Sequence, residues 1–254
     1  MRKGDTLYLI AQRYKSSPEA ILRANRLFEP VTDRGTIYIG NVLVVPSLLE
    51  TGKVSYIVKP GDTLNQIASK FSTSIDLISG INRIENPNTI FPDQQLIAPL
   101  FIYQIQPNDT LSSISRKFGI SLLSITKANR GRPGFQEDVI WPEFHLILPL
   151  PTSRNSVLWN PLPGSRVFTR QRLEGQARAF EANVLHQLRD ANGVIVSNKR
   201  FTTADEGAPA YGNFNSSLPF DRSPTSNTGE IWVYTRSAKD GSIQDLVRTK
   251  VYFS

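Results

Sequence analysis

The chain has 254 residues, 39% hydrophobic and 20% charged, a balance that excludes a disordered polymer and suits two average domains or several small ones. It has no cysteine, which excludes disulfides, zinc–thiolate sites and cysteine nucleophiles. The net charge of +7 favours anionic polymers: nucleic acid, teichoic acid or peptidoglycan carboxylates. The cations are scattered along the sequence with no Lys/Arg run interleaved with aromatics, so no nucleic-acid site is expected.

No stretch approaches 18 consecutive apolar residues, so no transmembrane segment is expected. The opening Met1-Arg2-Lys3-Gly4-Asp5-Thr6 lacks the apolar run of a signal peptide. On this reading the chain begins inside its first repeat, either shortened or made without an export signal.

Three repeats fill the first 150 residues. They open with Lys3-Gly4-Asp5-Thr6-Leu7, Pro60-Gly61-Asp62-Thr63-Leu64 and Pro107-Asn108-Asp109-Thr110-Leu111, and reach Asn25, Asn82 and Asn129 at one common distance. They close with alignable segments 37–46, 90–99 and 140–149, each ending in proline.

Within a repeat, Tyr56-Ile57-Val58 or Tyr103-Gln104-Ile105 predicts a first strand, which repeat one lacks. Gly61 sits where a positive φ is needed, and Asn108 suits the same place. Asp62 or Thr63 then caps a helix carrying Leu64, Ile67, Ala68 and Phe71 on one face. A second helix starts at Ser17, Ser74 or Ser121, carries Ile21 with Leu22, Leu77 with Ile78, or Leu122 with Ile125, and ends near the shared asparagine. Leu96-Ile97-Ala98 and Leu146-Ile147-Leu148 supply the second strand. The expected unit is a small α+β module of the βααβ type. The modules are placed at 1–47, 55–100 and 102–150, with short linkers at Ser47 to Ser55 and Phe101 to Ile102 giving a semi-rigid array.

After Pro151 the pattern changes to period-two strands such as Val184/His186/Leu188 and Val247/Thr249/Val251/Phe253, with hairpin turns at Asn192-Gly193 and Asp240-Gly241. About seven short strands over 156–254 predict an all-β immunoglobulin-like sandwich. The fold class is therefore multidomain, three α+β modules plus a β-sandwich.

The motif Tyr-x-Val-x-x-Gly-Asp-Thr-Leu, the serine-bounded second helix and the closing Asn-Pro-Asn-x-Ile-x-Pro-x-Gln-x-Leu element of Tyr56 to Pro99 resemble LysM, the lysin motif. The resemblance implies binding of glycans built on N-acetylglucosamine, either peptidoglycan, spore cortex or chitin oligomers. The sugar is expected in a shallow groove between the loop after the first strand and the loop before the second. That places Gly61, Asp62, Thr63 and Leu64 opposite Asn88, Thr89 and Ile90 in repeat two. The same loops carry Gly4, Asp5, Thr6 and Leu7 opposite Thr36 and Ile37 in repeat one. In repeat three they carry Asn108, Asp109, Thr110 and Leu111 opposite Val139 and Ile140. The short facing loop of repeat two makes it the expected strongest site. Gly-Asp-Thr-Leu also reads simply as a turn and helix cap, and Leu64 and Ile90 as core residues first.

Gly175 to Arg178, Phe180 to Val184, Gly207-Ala208-Pro209 and Ser237 to Ser242 resemble the immunoglobulin-like domain of bacterial spore germination proteins. This implies a spore-forming Gram-positive source, a cell-wall or spore-envelope setting and a spore-envelope protein as partner of the sandwich. No catalytic residue, metal site or cofactor is expected, because His145 and His186 have no ligand-spaced partners and no nucleophile or glycosidase carboxylate motif is visible. The reading is a non-catalytic glycan-binding protein. The alternative is a spore assembly or germination factor acting through protein contacts of the sandwich.

Overall fold

The computed structural model describes residues 1, 4–46 and 53–254. Arg2, Lys3 and residues 47–52, which hold most of the first expected linker, lie outside the described residues.

Module 1 contributes α1 (Leu7–Arg13) and α2 (Pro18–Ala24). Module 2 runs β1 (Val54–Ile57), α3 (Leu64–Lys70), α4 (Ile75–Ile81) and β2 (Gln95–Ala98). Module 3 runs β3 (Leu100–Gln104), α5 (Leu111–Phe118), α6 (Leu122–Asn129) and β4 (His145–Pro149). In modules 2 and 3 the two strands pair antiparallel, Val54 against Ala98 and Leu100 against Pro149.

Each helix starts where a hydroxyl side chain can satisfy an orphan amide. The caps of the first helices are Thr6, Thr63 and Thr110, and those of the second are Ser17, Ser74 and Ser121. The cap is therefore the threonine and not Asp62. Leu64, Ile67, Ala68 and Phe71 are buried together, as their helical spacing requires. Leu122 departs from the expected pattern: Ile125 is fully buried, whereas Leu122 stays 43% exposed.

The repeated asparagines close each module. The Asn82 amide donates to the Ile78 carbonyl at 2.8 Å and to the Ile97 carbonyl at 2.9 Å, while its oxygen accepts from the Ile97 amide at 2.7 Å. Asn129 repeats this with Ile125 and Ile147, and Asn25 with Ile21 and Val44. One side chain thus ties the second helix to the second strand. In module 1 no strand is formed among the described residues, yet Val44 is still held by Asn25.

The modules are not beads on linkers. Phe101 and Ile102, expected as a linker, lie inside β3, because Phe101 is buried in the core of module 3 and a single proline separates β2 from β3. Module 1 packs on module 3 through Arg132, a 3% exposed guanidinium. Its Nη1 donates to Asn129 Oδ1 and to the His145 carbonyl, each at 2.7 Å, and Nη2 donates to Asn25 Oδ1 at 3.1 Å. The guanidinium stacks on Phe144, 4.5 Å from the ring centre. Burial draws its pKa down to about 9, so it stays charged at neutral pH. Arg26 adds a second contact, lying 4.4 Å from the Phe28 ring centre and 4.9 Å from that of Trp141.

The sandwich consists of β5 (Ser156–Asn160), β6 (Arg166–Val167), β7 (Gln171–Ala177), β8 (Asn183–Asp190), β9 (Ile195–Thr203), β10 (Gly212–Leu218), β11 (Thr228–Arg236) and β12 (Ile243–Phe253). These make eight strands where about seven were expected, the extra one being the two-residue β6. They form sheets of order β10-β7-β5 and β6-β12-β11-β8-β9. The hairpins turn at Gly193, φ 84°, and Gly241, φ 71°.

The sandwich docks on modules 2 and 3. Tyr211 lies on Gly80 of α4, where any Cβ would stand 2.0 Å from the ring, so glycine is required there. Lys250 donates to the Arg116 carbonyl at 2.6 Å and Tyr252 to the Lys117 carbonyl at 3.2 Å, both at the C-terminal end of α5.

Two outcomes follow from these contacts. Replacing Asn82 with alanine strands the Ile97 amide and two carbonyls, and should cost about 2–3 kcal/mol of stability. Urea unfolding of the variant checks this, and an unchanged midpoint would refute the clamp. The second outcome concerns His186, buried in the sandwich with Nε2 2.7 Å from Ser216 Oγ. Burial, then the charge of Arg200, depresses its pKa from 6.5 to about 4. The unfolded chain therefore takes up this proton first, so the stabilisation is present above pH 6.5 and is lost as the pH falls towards 4. The loss should reach up to about 3 kcal/mol. Unfolding followed by tryptophan fluorescence at pH 7.5 and 4.5 should show a smaller pH dependence for His186→Gln; equal dependence would rule this out.

Candidate glycan groove

The groove begins with a tight turn. Lys59-Pro60-Gly61-Asp62 closes with the Asp62 amide donating to the Lys59 carbonyl at 3.1 Å, proline at the second position and Gly61 at φ 86° at the third. This is the geometry of a type II turn. Gln106-Pro107-Asn108-Asp109 repeats it with Asn108 at φ 68°, and Gly4 has φ 88°.

The turn's aspartate is a staple. Asp62 Oδ2 accepts from the Lys59 amide at 2.9 Å and from the Tyr56 hydroxyl at 2.7 Å. Asp109 accepts in the same way from Gln106 and Tyr103, at 2.9 and 2.7 Å. Burial, and then the bond to the carboxylate, raises the pKa of both tyrosines, so the phenols remain donors. In module 1, where no such tyrosine is described, Asp5 lies 3.8 Å from Arg13 Nη1.

The threonines are also engaged. Thr63 Oγ1 accepts from the Gln66 amide while the Gln66 side chain accepts from the Thr63 amide. Thr110 and Ser113 form the same reciprocal cap. Leu64 and Leu111 are buried core residues. Ile37, Ile90 and Ile140 are half-buried against the cores of their modules.

Module 3 brings the two loops together around an open depression of about 560 Å³. Asp109, Thr110 and Leu111 line one side, and Val139 and Ile140 line the other. Asn108 supplies the turn and is not part of the lining. The sequence reading missed Ser112, Leu122, Thr126, Glu137 and Asp138, which complete the lining. The four-residue spacing of Leu122 and Thr126 places both on one face of α6, and that signal was available in the sequence. The loop before Val139 bears an ion pair between Arg130 and Glu137 at 3.3 Å.

In module 1 the Leu7 side chain reaches Gly35, next to Thr36, so the same two loops meet there. In module 2, Asn88 and Thr89 are exposed in a turn closed by Asn86, whose side chain accepts from the Asn88 amide and whose carbonyl accepts from the Thr89 amide. The sandwich touches α5 at its C-terminal end, whereas the depression lies at its N-terminal end. The groove thus opens away from that contact. Among the described residues no group of three or more His, Cys, Asp or Glu side chains could hold a metal ion. Among the described residues no helix is long and apolar enough to cross a membrane.

Comparison with known proteins identifies the types of module present. The family model for the LysM domain matches residues 2–46, 56–99 and 103–149, and that for the immunoglobulin-like domain of bacterial spore germination matches 157–242. The chain is similar to an endolysin of Bacillus phage B103, 31% identical over 97 residues, covering 38% of this chain and 36% of that protein. It is also similar to the secreted LysM effector ECP6 of Passalora fulva, 32% identical, covering 39% of this chain and 50% of that one. Among solved structures it is similar to the Bacillus cereus spore cortex-lytic enzyme SleL, at 26% identity and a TM-score of 0.30, covering 39% of this chain and 21% of that one. The chain thus spans half or less of the length of these relatives. By its matched modules it belongs to the LysM-domain proteins, with three LysM modules followed by an immunoglobulin-like domain of the bacterial spore germination type.

Proposed function

We propose that this chain binds N-acetylglucosamine-containing glycan of the wall or spore cortex without cleaving it, and that this holds the sandwich at that surface. LysM modules imply binding of such glycan, and the observation that carries the reading is the depression in module 3. Its walls are the loops that the lysin-motif resemblance assigns to the sugar. The carboxylates and hydroxyls of the turn are already bonded within the fold, so backbone groups and the apolar edges of Leu111, Leu122, Val139 and Ile140 remain for an acetamido group. Site residues in modules 1 and 2 are assigned by the same turn and facing loop.

The longer loop of module 3 adds Glu137 and Asp138 to its wall, and α6 adds Leu122 and Thr126. On this reading module 3 ranks ahead of module 2, in place of the order expected from loop length. Because the modules pack against one another, second and third contacts with one polymer are intramolecular and raise avidity by about 10²–10⁴ where the span fits. The relatives are named as lytic proteins or as an effector, and the two families matched here are binding and immunoglobulin-like modules. These two module types support the non-catalytic reading.

A second reading, adhesion through the sandwich, is favoured by Phe180 and Phe201, 63% and 74% exposed beside a depression of about 510 Å³. An envelope protein would be the partner on that reading.

Calorimetry with an N-acetylglucosamine tetramer should show the largest loss of affinity for Thr110→Arg among single changes of Thr6, Thr63 and Thr110. An unaffected Thr110→Arg variant would sink the ranking. The triple variant should elute from purified sacculi in roughly 0.3 M salt, which screens charge but not acetamido packing. Retention of the triple variant at that salt would instead mean that the sandwich does the holding. Neither protein should release soluble muropeptides, and release above buffer would contradict a non-catalytic role.

A further inference from the structure

Strand alternation sorts the five-stranded sheet into two faces. Ile231, Val233, Val247, Thr249, Val251 and Val167 are buried inside the sandwich. Their neighbours Arg166, Glu230, Trp232, Arg248, Lys250 and Tyr252 therefore line the outer face, and Arg189 joins them from β8, cross-strand from Glu230. Arg189 and Arg248 come from the strands on either side of Trp232, with their guanidinium carbons 4.3 and 4.6 Å from its ring centre. Lys250 links this face to the end of α5, where Arg116 is exposed.

Four cations thus lie along one face, Arg166, Arg189, Arg248 and Lys250, and the exposed Arg116 adjoins it as a fifth at the end of α5. Glu230 is the carboxylate among them, and its Oε2 accepts from the Trp232 indole at 3.0 Å. The eight ion pairs among the described residues all engage arginines elsewhere, and none engages these five cations. The sequence scatters them over 116–250, and only the fold collects them.

We infer that this face is a docking track for a linear polyanion without planar bases, the phosphodiester chain of an anionic wall polymer. Length is the first argument. From β8 to β6 the cations cross three strand spacings, roughly 14 Å, more than one small anion can bridge. Charge is the second, because cations free of ion pairs and stacked on an aromatic ring keep their outer N–H groups for phosphate oxygens. The third argument separates polymers: the Trp232 ring at the centre of the face already lies between two guanidiniums and offers a nucleotide base no open side, which leaves only Tyr252 at the edge, its hydroxyl held by Lys117. The track is on the sandwich and α5, and stands whether or not the grooves take glycan.

Inorganic polyphosphate, titrated into the full chain at low and at roughly 0.3 M salt, tests this. Arg189→Gln with Arg248→Gln should weaken binding at low salt about tenfold or more and flatten the salt dependence. Arg23→Gln with Arg83→Gln removes the same charge from modules 1 and 2 and should change little. Both double variants should bind the N-acetylglucosamine tetramer as the parent does, which checks their folding. If the parent fails to bind polyphosphate, or both double variants lose equally, there is no track. Single-stranded DNA binding as tightly as polyphosphate would overturn the choice of polymer. Failure of the parent to bind the tetramer would count against the glycan reading and leave the track standing.

Discussion

A buried side-chain amide has to find partners for both a carbonyl and an NH₂ group, and in each module Asn25, Asn82 or Asn129 finds them on two different elements. The donor half completes the end of the second helix, and the donor and acceptor halves together grip one residue of the second strand, as Ile97 shows with both its amide and its carbonyl. Aspartate would lack the donors and glutamine would overshoot the strand. A unit of about 45 residues has little apolar surface to spare, so a single residue that fixes helix to strand carries much of its definition. Module 1 shows the interaction at its barest, with Val44 held although no ladder forms around it. The facing loop of the groove is the stretch between the two ends of this clamp. Its ends are fixed while its middle is free to vary.

The same asparagines also build the array. Arg132 inserts between Asn25 and Asn129 and takes the remaining acceptor capacity of their carbonyl oxygens, so the clamp of one module becomes the socket of another. A guanidinium in this position has no carboxylate beside it. Its charge is met by three oxygens and the face of Phe144, and burial pulls its pKa down accordingly. Tyr211 on Gly80 and Lys250 on α5 then add the sandwich to modules 2 and 3. Pairwise packing of this kind fixes the spacing of the three grooves, which flexible linkers would not.

The architecture was readable because each of its elements repeats a local rule. Hydroxyl caps at Thr63 and Ser74, the helical stripe Leu64/Ile67/Ala68/Phe71, the positive φ of Gly61 and Asn108 and the alternating strand of 247–253 all act within one element. What escaped the reading was long-range. Nothing near Arg132 says that it is buried where module 3 meets module 1, and nothing near Phe101 says that the strand of module 3 has already begun. In module 3, Asp109, Thr110, Leu111, Val139 and Ile140 of the two expected loops line one depression, and Asn108 only shapes the turn. Leu122 was taken for core because helical spacing alone cannot tell a buried flank from a groove wall. The arginines around Trp232 were invisible for the same reason, since their proximity is a product of sheet register.

The turn at the mouth of each groove has consequences for how such modules can change. Asp62 is committed to Lys59 and Tyr56, and Thr63 to the helix it caps, so altering either residue bears on the fold as well as on the groove. Change would fall more freely on exposed positions of the opposite loop, Asn88, Thr89 and Val139 among them, since Arg132 and Phe144 in the same stretch of module 3 are held by packing. The three copies already differ there: 17 positions separate Asn82 from Pro99, 20 separate Asn129 from Pro149 and 21 separate Asn25 from Pro46. A single chain thus carries three facing loops of different length on a common frame. The copies differ by insertion in that loop, while the threonine cap and the asparagine clamp recur in all three.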